Sequence, residues 1–477
     1  MYVSVQTRNP PSNNLFFNLG DCPALKPSNL YPGDSVASCR LVRWLSLLLW
    51  ALGLLWSGSV QALPSFARQT GQACVACHVS FPELTPYGRQ FKLSGYTFGT
   101  KQMFPFSAMA VGSVSKINNP QGNDVAYPKK GDSVLEGGSL FLAGKVSEHV
   151  GLFSQWTYNN LNAAQQPDGT TRFAGHTSAD NTDIRLVDHI TKKDIDLIYG
   201  LSLNNNPTVQ DVWNSTPAFS YPFQTSRIAS VWGVGAPTTL IEGGLAQQVA
   251  GISAYAFLNS NWYLELGSYR KSDGVFAVLG HGVNVTNRLK GANPYWRFAY
   301  NKEWGSQSMS VGTFGMIANV NTDPLDRNSP TDRFRDVGVD MQYQYLAEPH
   351  AATAQLSLIH ERTNWDSSHV GVDRQNDTSA LKSYRLKGSY WYQRTYGMTL
   401  GLFSQHGSDD NIVYPVTNRP DTSGYVAELN YMVRPNWRLG LQYTGYNKYR
   451  GASANFDGNG RNAQYNNTTY LYTWIAF

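Results

Sequence analysis

The run Val337-Gly338-Val339-Asp340-Met341-Gln342-Tyr343-Gln344-Tyr345 alternates residue by residue between two kinds of side chain. Odd positions are apolar or aromatic, and even positions are small, polar or charged. Successive side chains of a strand point to opposite faces, so the run predicts a strand with one apolar and one polar face. Trp296–Tyr300 and Trp437–Tyr446 show the same pattern, and the chain ends on a fourth run, the aromatic-rich Tyr470–Phe477, whose last residue is Phe.

Similar alternating runs fill the chain from residue 105 to residue 477, separated by turns. They begin near Ser107, Ser139, Gly151, Thr182, Asp194, Val249, Trp262, Met309, Ala352, Tyr384, Thr399 and Tyr425. With the four runs named above, this predicts about 16 antiparallel strands, a number within the range of single-chain membrane barrels. A further candidate, Thr239–Leu245, would make the number odd, and we assign it to a loop.

A soluble sandwich would also alternate, but three features favour a transmembrane β-barrel. The apolar face is rich in Tyr and Trp, as in interfacial aromatic girdles. Tight connections, such as Asn259–Asn261 and Arg434–Asn436, alternate with long polar ones, for example 160–181 and 205–240. Short periplasmic turns and long external loops have this pattern. The terminal Phe477 resembles the assembly signal of outer-membrane proteins.

Composition agrees with this class. Only 15% of residues are charged, 13% are aromatic, and the mean hydropathy of −0.35 excludes a helical membrane protein. The net charge of +5 is too small to indicate nucleic-acid binding. The polar faces carry charges of both signs, which favours a plugged or weakly selective lumen.

Residues 1–62 read as an N-terminal extension followed by a signal peptide. Arg40 and Arg43 precede the apolar run Trp44–Trp56, and Val60-Gln61-Ala62 ends on a small residue. This order predicts export and cleavage. Cys22 and Cys39 lie in the removed part, so the mature chain keeps only two cysteines.

Those two cysteines stand in Cys74-Val75-Ala76-Cys77-His78, the attachment pattern of a c-type haem. Two thiols at this spacing can add to the two vinyl groups of a porphyrin, and His78 then lies where its imidazole can ligate the iron. A redox C-x-x-C pair or half of a zinc site are the alternatives. A zinc site needs four ligands, and the next His is His149.

A monohaem cytochrome c segment is therefore predicted over residues 63–104, before the barrel of residues 105–477. Thr85, Pro86 and Gly95 predict the cap, first turn and end of a short helix. On that helix Tyr87 and Phe91 share a face that could cover the porphyrin, and Arg89 and Lys92 could meet its propionates, although solvated basic residues are the alternative. Met103 is our first choice for a distal ligand because Met/His pairs occur in c-type cytochromes.

The segment resembles a known family, the fused monohaem cytochrome–porins of the outer membrane, best known as iron oxidases of Fe(II)-oxidising bacteria. The resemblance is carried by Phe66–Gly71, Cys74–His78 and Phe81–Tyr96, and over the barrel it extends only to architecture. It implies one covalent haem c on Cys74 and Cys77, with His78 as proximal ligand. It also implies electron flow from an external donor to periplasmic carriers.

The predicted protein is thus an all-β transmembrane barrel of the bacterial outer membrane, with the haem segment plugging its lumen. The first functional hypothesis is an electron conduit, in the manner of an Fe(II):cytochrome c oxidoreductase, with a periplasmic c-type cytochrome or copper protein as acceptor. The alternatives are a porin-like channel with a structural or sensory haem, and exchange with a donor or acceptor other than iron. No catalytic dyad or phosphate loop is visible. We interpret His176, His281, His369 and His406 as solvated.

Overall fold

The computed structural model describes residues 64–119, 131–165, 171–231, 233–282, 286–367 and 376–477. The predicted signal peptide and His369 lie outside these residues. No helix in the described part of the chain is long and apolar enough to cross a membrane.

Sixteen antiparallel strands close into one barrel, as predicted. The strands are β1 Phe106–Ile117, β2 Ser133–Lys145, β3 Val150–Gln165, β4 Thr171–Lys192, β5 Ile195–Asn204, β6 Val249–Leu258, β7 Trp262–Lys271, β8 Asn293–Trp304, β9 Gln307–Asn321, β10 Thr331–Ala347, β11 His350–Asn364, β12 Thr378–Tyr392, β13 Tyr396–Gly407, β14 Thr422–Arg434, β15 Trp437–Lys448 and β16 Thr468–Ala476. Each strand pairs with the next, and β16 pairs with β1 with Thr468 opposite Ile117, which closes the barrel.

In β10, the strand with the clearest alternation, the two kinds of side chain lie on opposite faces of the barrel wall. In β10, Asp340, Gln342 and Gln344 are at most 1% exposed and face the lumen. Val337 and Val339 are about half exposed and face outward. In water this outer surface would cost free energy, whereas lipid solvates it, so the apolar face is the membrane face.

An aromatic girdle marks one edge of that face. Its members, all at least one-third exposed, are Trp262, Trp304, Tyr345, Tyr392, Tyr396, Tyr431 and Trp437. They flank the short turns between strands, at 259–261, 305–306, 348–349, 393–395 and 435–436. The first residue of β1 and the last residue of β16 also lie at this edge. Because short turns are typical of the periplasmic side, this edge is the periplasmic one. Closure, an even strand number and this outer face make the chain a bacterial outer-membrane β-barrel.

Two predicted external loops differ from the structure. The stretch 160–181 is mostly strand, because β3 and β4 extend well past the apolar zone as a polar hairpin without the apolar alternation that would reveal it. Residues 205–248, between β5 and β6, are not external: they fold into the lumen, and we call them the inner segment. Thr239–Leu245 is indeed not a strand, since Leu240–Gly244 forms a π-helical turn of this segment.

The helices lie mainly in the N-terminal segment, residues 64–104. They are α1 Ser65–Thr70, α2 Cys74–Cys77 and α3 Pro86–Leu93, with a small antiparallel hairpin of His78–Ser80 and Glu83–Leu84 between α2 and α3. In the described part of the inner segment, α4 spans Arg227–Val231 and a 3₁₀ turn spans Pro217–Phe219. Further 3₁₀ turns occupy Gly274–Leu279 and Ala463–Asn466.

Candidate functional site

The C-x-x-C-H motif is held by the helix that follows it. Thr85 caps α3, as predicted: its hydroxyl oxygen accepts a hydrogen bond from the Gly88 amide at 3.2 Å. The same hydroxyl donates to the carbonyl of Ala76 at 2.5 Å, inside the motif. Gly88 lies so close that an added Cβ would stand 2.2 Å from the Cys77 carbonyl oxygen. Only a glycine lets α3 pack directly on the motif.

Arg89 and Lys92 anchor this helix to the rest of the molecule. Both are more than nine-tenths buried. Arg89 donates to Glu303 at 2.9 Å and to Gln344 at 2.7 Å, both on the barrel wall. Lys92 donates to backbone carbonyls of the inner segment, at Val209 and Asp211, each at 2.7 Å.

Arg89 does not line the cavity described below, whereas Lys92 does, with its ammonium group already hydrogen-bonded to these carbonyls. Burial lowers the pKa of Arg89, and it lowers the pKa of Lys92 to about 7. The two residues act as anchors in this structure, which the sequence did not distinguish from solvated basic side chains.

Next to the motif, a cavity of about 680 Å³ opens at the periplasmic end of the lumen. Cys74, Cys77 and His78 all line it, so the structure brings the three predicted attachment and ligand residues to one space. Its other walls are mostly aromatic and apolar, from the N-terminal segment and from the barrel. Their rings include Phe66, Phe81, Phe91, Tyr96, Phe141, Phe153, Trp391 and Trp474. Its volume is in the range of cofactor sites, roughly 300–1,000 Å³.

The environment of His78 favours the neutral imidazole, which is the form that the predicted iron ligation requires. Its Nδ1 atom is buried without a hydrogen bond of ordinary geometry. Burial lowers the pKa of His78 to about 4, and the backbone of Pro82 offsets only part of that effect. Its ring lies 5.6 Å from that of Phe81, which in turn stacks on Trp474 at 5.5 Å.

The two thiols are free and partly buried. Burial raises the pKa of Cys74, and together with the charge of Cys74 it raises the pKa of Cys77 to about 11. A redox-active C-x-x-C thiol has a depressed pKa instead, so this environment does not favour that alternative. Within the described residues, no three His, Cys, Asp or Glu side chains form a metal-binding group, which likewise gives no support to a zinc site.

Of the aromatic pair predicted to cover the porphyrin, Phe91 lines the cavity and Tyr87 does not. Met103, the predicted distal ligand, does not line it either, and its side chain is 85% exposed. Met109 on β1, the other thioether near the motif in the sequence, and Met432 on β14 do line the cavity. The sequence could not reveal Met432, because the position of its strand relative to the motif depends on closure of the barrel.

Above the cavity, the inner segment crosses the lumen. Asn214 and Phe219 form part of the cavity wall, and the Asn214 side-chain amide donates to the carbonyl of Pro82 at 2.9 Å. Farther along, Gln224 accepts from Gln442 at 3.0 Å, and Ser226 donates to Ser115 at 2.6 Å. The last two contacts reach β15 and β1, the strands on either side of the closing strand β16.

A buried ionic cluster fixes this segment in place. Arg297 on β8 makes a bidentate pair with Asp340 on β10, at 2.9 Å for each bond. Its guanidinium also lies 3.2 Å from Asp211 of the inner segment. All three side chains are at most 1% exposed, and Ser215 donates to Asp340 as well. Asp340 lies on the polar face predicted for its strand, but the sequence did not indicate its pairing with Arg297 or the contact with Asp211.

The remaining described histidines lie away from this site. His176 makes a polar contact of 3.3 Å with the carbonyl of His281, and His406 pairs with Asp421 at 2.9 Å. None of them lines the cavity.

Comparison with known proteins finds similar solved structures but no matching family. No protein-family model matches the chain, and no curated protein matches it. Similar solved structures include in-vitro folded OmpT, an outer membrane protein of Vibrio cholerae, with 9% identity and a TM-score of 0.40 over 78% of this chain and 96% of that one. An anion-selective porin from Comamonas acidovorans has 14% identity and a TM-score of 0.41, covering 78% and 98%. The channel DcaP of Acinetobacter baumannii has 12% identity and a TM-score of 0.40, covering 78% and 96%.

Proposed function

We propose that this barrel passes electrons across the outer membrane through a single c-type haem, covalently attached to Cys74 and Cys77 and ligated by His78. The observation that carries the proposal is the meeting of these three residues in one aromatic cavity at the periplasmic end of the lumen. A flat apolar macrocycle fits such walls, and the thiols and the neutral imidazole are the donor set that it needs. The haem supplies one-electron chemistry between Fe(III) and Fe(II).

The protein's own residues would position and shield that group. α3 and the capping Thr85 hold the motif, and the buried ring nitrogen keeps His78 in its ligating, neutral form. The aromatic walls exclude water, which lowers the local dielectric and thereby affects the reduction potential. Val75, 44% exposed, lies between the two cysteines at the periplasmic opening, where a soluble carrier could approach.

The inner segment supports electron transfer over solute passage. A porin keeps a water-filled lumen, whereas here residues 205–248 cross the lumen and are tied to its walls by buried charges. As electron donor we propose extracellular Fe(II), on the resemblance of the N-terminal segment to iron-oxidising cytochrome–porins, and as acceptor a periplasmic c-type cytochrome or copper protein.

Reconstitution into liposomes tests the proposal. We expect external Fe(II) to reduce an acceptor trapped inside, without release of a trapped small solute. The matched control is the chain with Cys74→Ala and Cys77→Ala, which should neither reduce the acceptor nor leak. Solute release, together with a haem that external Fe(II) does not reduce, would instead favour a channel with a structural or sensory haem.

A further inference from the structure

Four residues that line the candidate cavity each carry a buried N–H group without an acceptor. The groups are Nε1 of Trp391, Nη1 of Arg394, Nε of Arg438 and Nε1 of Trp474. Trp391, Arg438 and Trp474 are more than nine-tenths buried. A buried donor that lacks an acceptor destabilises the folded protein, and four such groups on the residues of one cavity wall point to an acceptor that a bound group would bring.

The donors form two pairs. Arg438 and Trp474 are direct cross-strand partners on β15 and β16, and the guanidinium lies 5.5 Å from the indole ring. Trp391 and Arg394 stand three residues apart, at the end of β12 and in the turn that follows it. Each pair joins a positive charge to an indole N–H.

Inside the cavity no carboxylate pairs with these two arginines, because the cavity lining contains no Asp or Glu. Arg438 donates to the carbonyl of Phe81 at 3.2 Å and has no ion pair among the described residues. Arg394 has one, through its Nε to Glu348 at 3.2 Å, which leaves the Nη1 atom unpaired. The cavity therefore offers donors and positive charge to a bound group that must bring its own acceptors.

Resting on the proposed function, we propose that the two pairs, Trp391 with Arg394 and Arg438 with Trp474, receive the two propionate carboxylates of the porphyrin. Carboxylates are the acceptors that guanidinium groups bind most strongly, and each porphyrin carries two. The barrel, rather than α3, then fixes the orientation of the macrocycle. The sequence suggested Arg89 and Lys92 for this role, but Arg89 does not line the cavity and the ammonium group of Lys92 already donates to two backbone carbonyls.

Porphyrin binding to the full chain with Cys74→Ala and Cys77→Ala tests this without covalent attachment. The probes are fluorescent zinc protoporphyrin and its dimethyl ester, which lacks the two negative charges. We expect the diacid to bind more tightly than the diester. A charge-assisted hydrogen bond supports a difference of about tenfold or more for each arginine.

In the chain without the two cysteines, Arg394→Gln and Arg438→Gln should each reduce the ratio of diacid to diester affinity. Arg438→Lys, which keeps the positive charge, should reduce this ratio less than Arg438→Gln. Trp391→Phe and Trp474→Phe keep the ring, remove one N–H and should have smaller effects. Lys302→Gln is the matched control, because it removes the same charge from an exposed position on the periplasmic rim. Gel mobility of the unheated protein shows that each barrel is folded.

Equal affinity for diacid and diester would overturn the inference, as would a ratio unchanged by both arginine substitutions. Either result would mean that these donors await a carboxylate from another source, such as an acidic partner. Failure of the proposed function looks different: the unsubstituted chain, matured in a host that attaches c-type haem, would carry no covalent haem, and neither porphyrin would bind.

Discussion

Two segments enter the lumen of this barrel, and they differ in what they leave unpaired. The N-terminal segment is anchored by buried Arg89 and Lys92, yet residues of the cavity that it borders carry buried donors without acceptors. The inner segment is tied at both ends to strands, and its key charge, Asp211, is answered by Arg297. The cavity and unpaired donors beside the N-terminal segment suit the binding of a further group. The ion pair of the inner segment is satisfied within the protein, which suits a segment that closes the lumen.

The largest effect that would sharpen this comparison comes from the motif itself. With Cys74→Ala and Cys77→Ala we expect complete loss of covalent haem, while the barrel still folds, because neither side chain contributes to the strand network. Haem staining of the denatured protein and gel mobility of the folded protein check the two halves of this prediction. A barrel that fails to fold without the cysteines would show that the N-terminal segment is required for closure.

The next effect concerns the inner segment. Arg297→Met should leave Asp211 and Asp340 as buried, unpaired charges, at a cost of about 3–5 kcal/mol in the stability of the closed lumen. We expect the segment to loosen, so that single-channel conductance in planar bilayers rises from none to a measurable level. Arg333→Met, at an exposed position of β10, is the control. If neither variant gave measurable conductance, the ionic cluster would not be what closes the lumen.

A smaller effect is expected where α3 meets the motif. Gly88→Ala places a Cβ 2.2 Å from the Cys77 carbonyl oxygen, and overpacking of this kind costs about 1–3 kcal/mol. The motif should shift, and the fraction of chains with covalent haem should fall while the barrel stays intact. Gly388→Ala is the control, since an added Cβ there meets nothing within 4 Å. Equal haem content in the two variants would contradict the tight packing.

The smallest effect is the loss of the cap. Thr85→Ala removes the acceptor for the Gly88 amide and the donor to Ala76, which should cost about 0.5–2 kcal/mol. Amide hydrogen exchange in α3 should become faster, whereas exchange in the strands stays the same. Thr85→Ser keeps the hydroxyl and should behave like the unsubstituted chain.

The two lumen segments also show what the sequence can and cannot predict. Strand alternation is a local property, so the number of strands and the lumen-facing position of Asp340 could be read directly. The cap at Thr85 is local as well. The place of residues 205–248 depends on pairings with distant strands, such as that between Asp211 and Arg297, and a polar loop looks the same whether it faces water or a charged lumen. The cavity lining could not be predicted for the same reason, because Trp391, Arg394 and Trp474 come to line one cavity only when the barrel closes.

Gly151 carries a further consequence. Its missing side chain lets the wall approach the carbonyl oxygen of Gly95, which an added Cβ would meet at 2.1 Å. The N-terminal segment thus packs tightly against β3 and is enclosed by the barrel wall. The pairing that closes this wall, β16 with β1, involves the last strand of the chain. If a porphyrin is attached to Cys74 and Cys77 as proposed, we expect attachment to precede membrane assembly, while the polypeptide is still open.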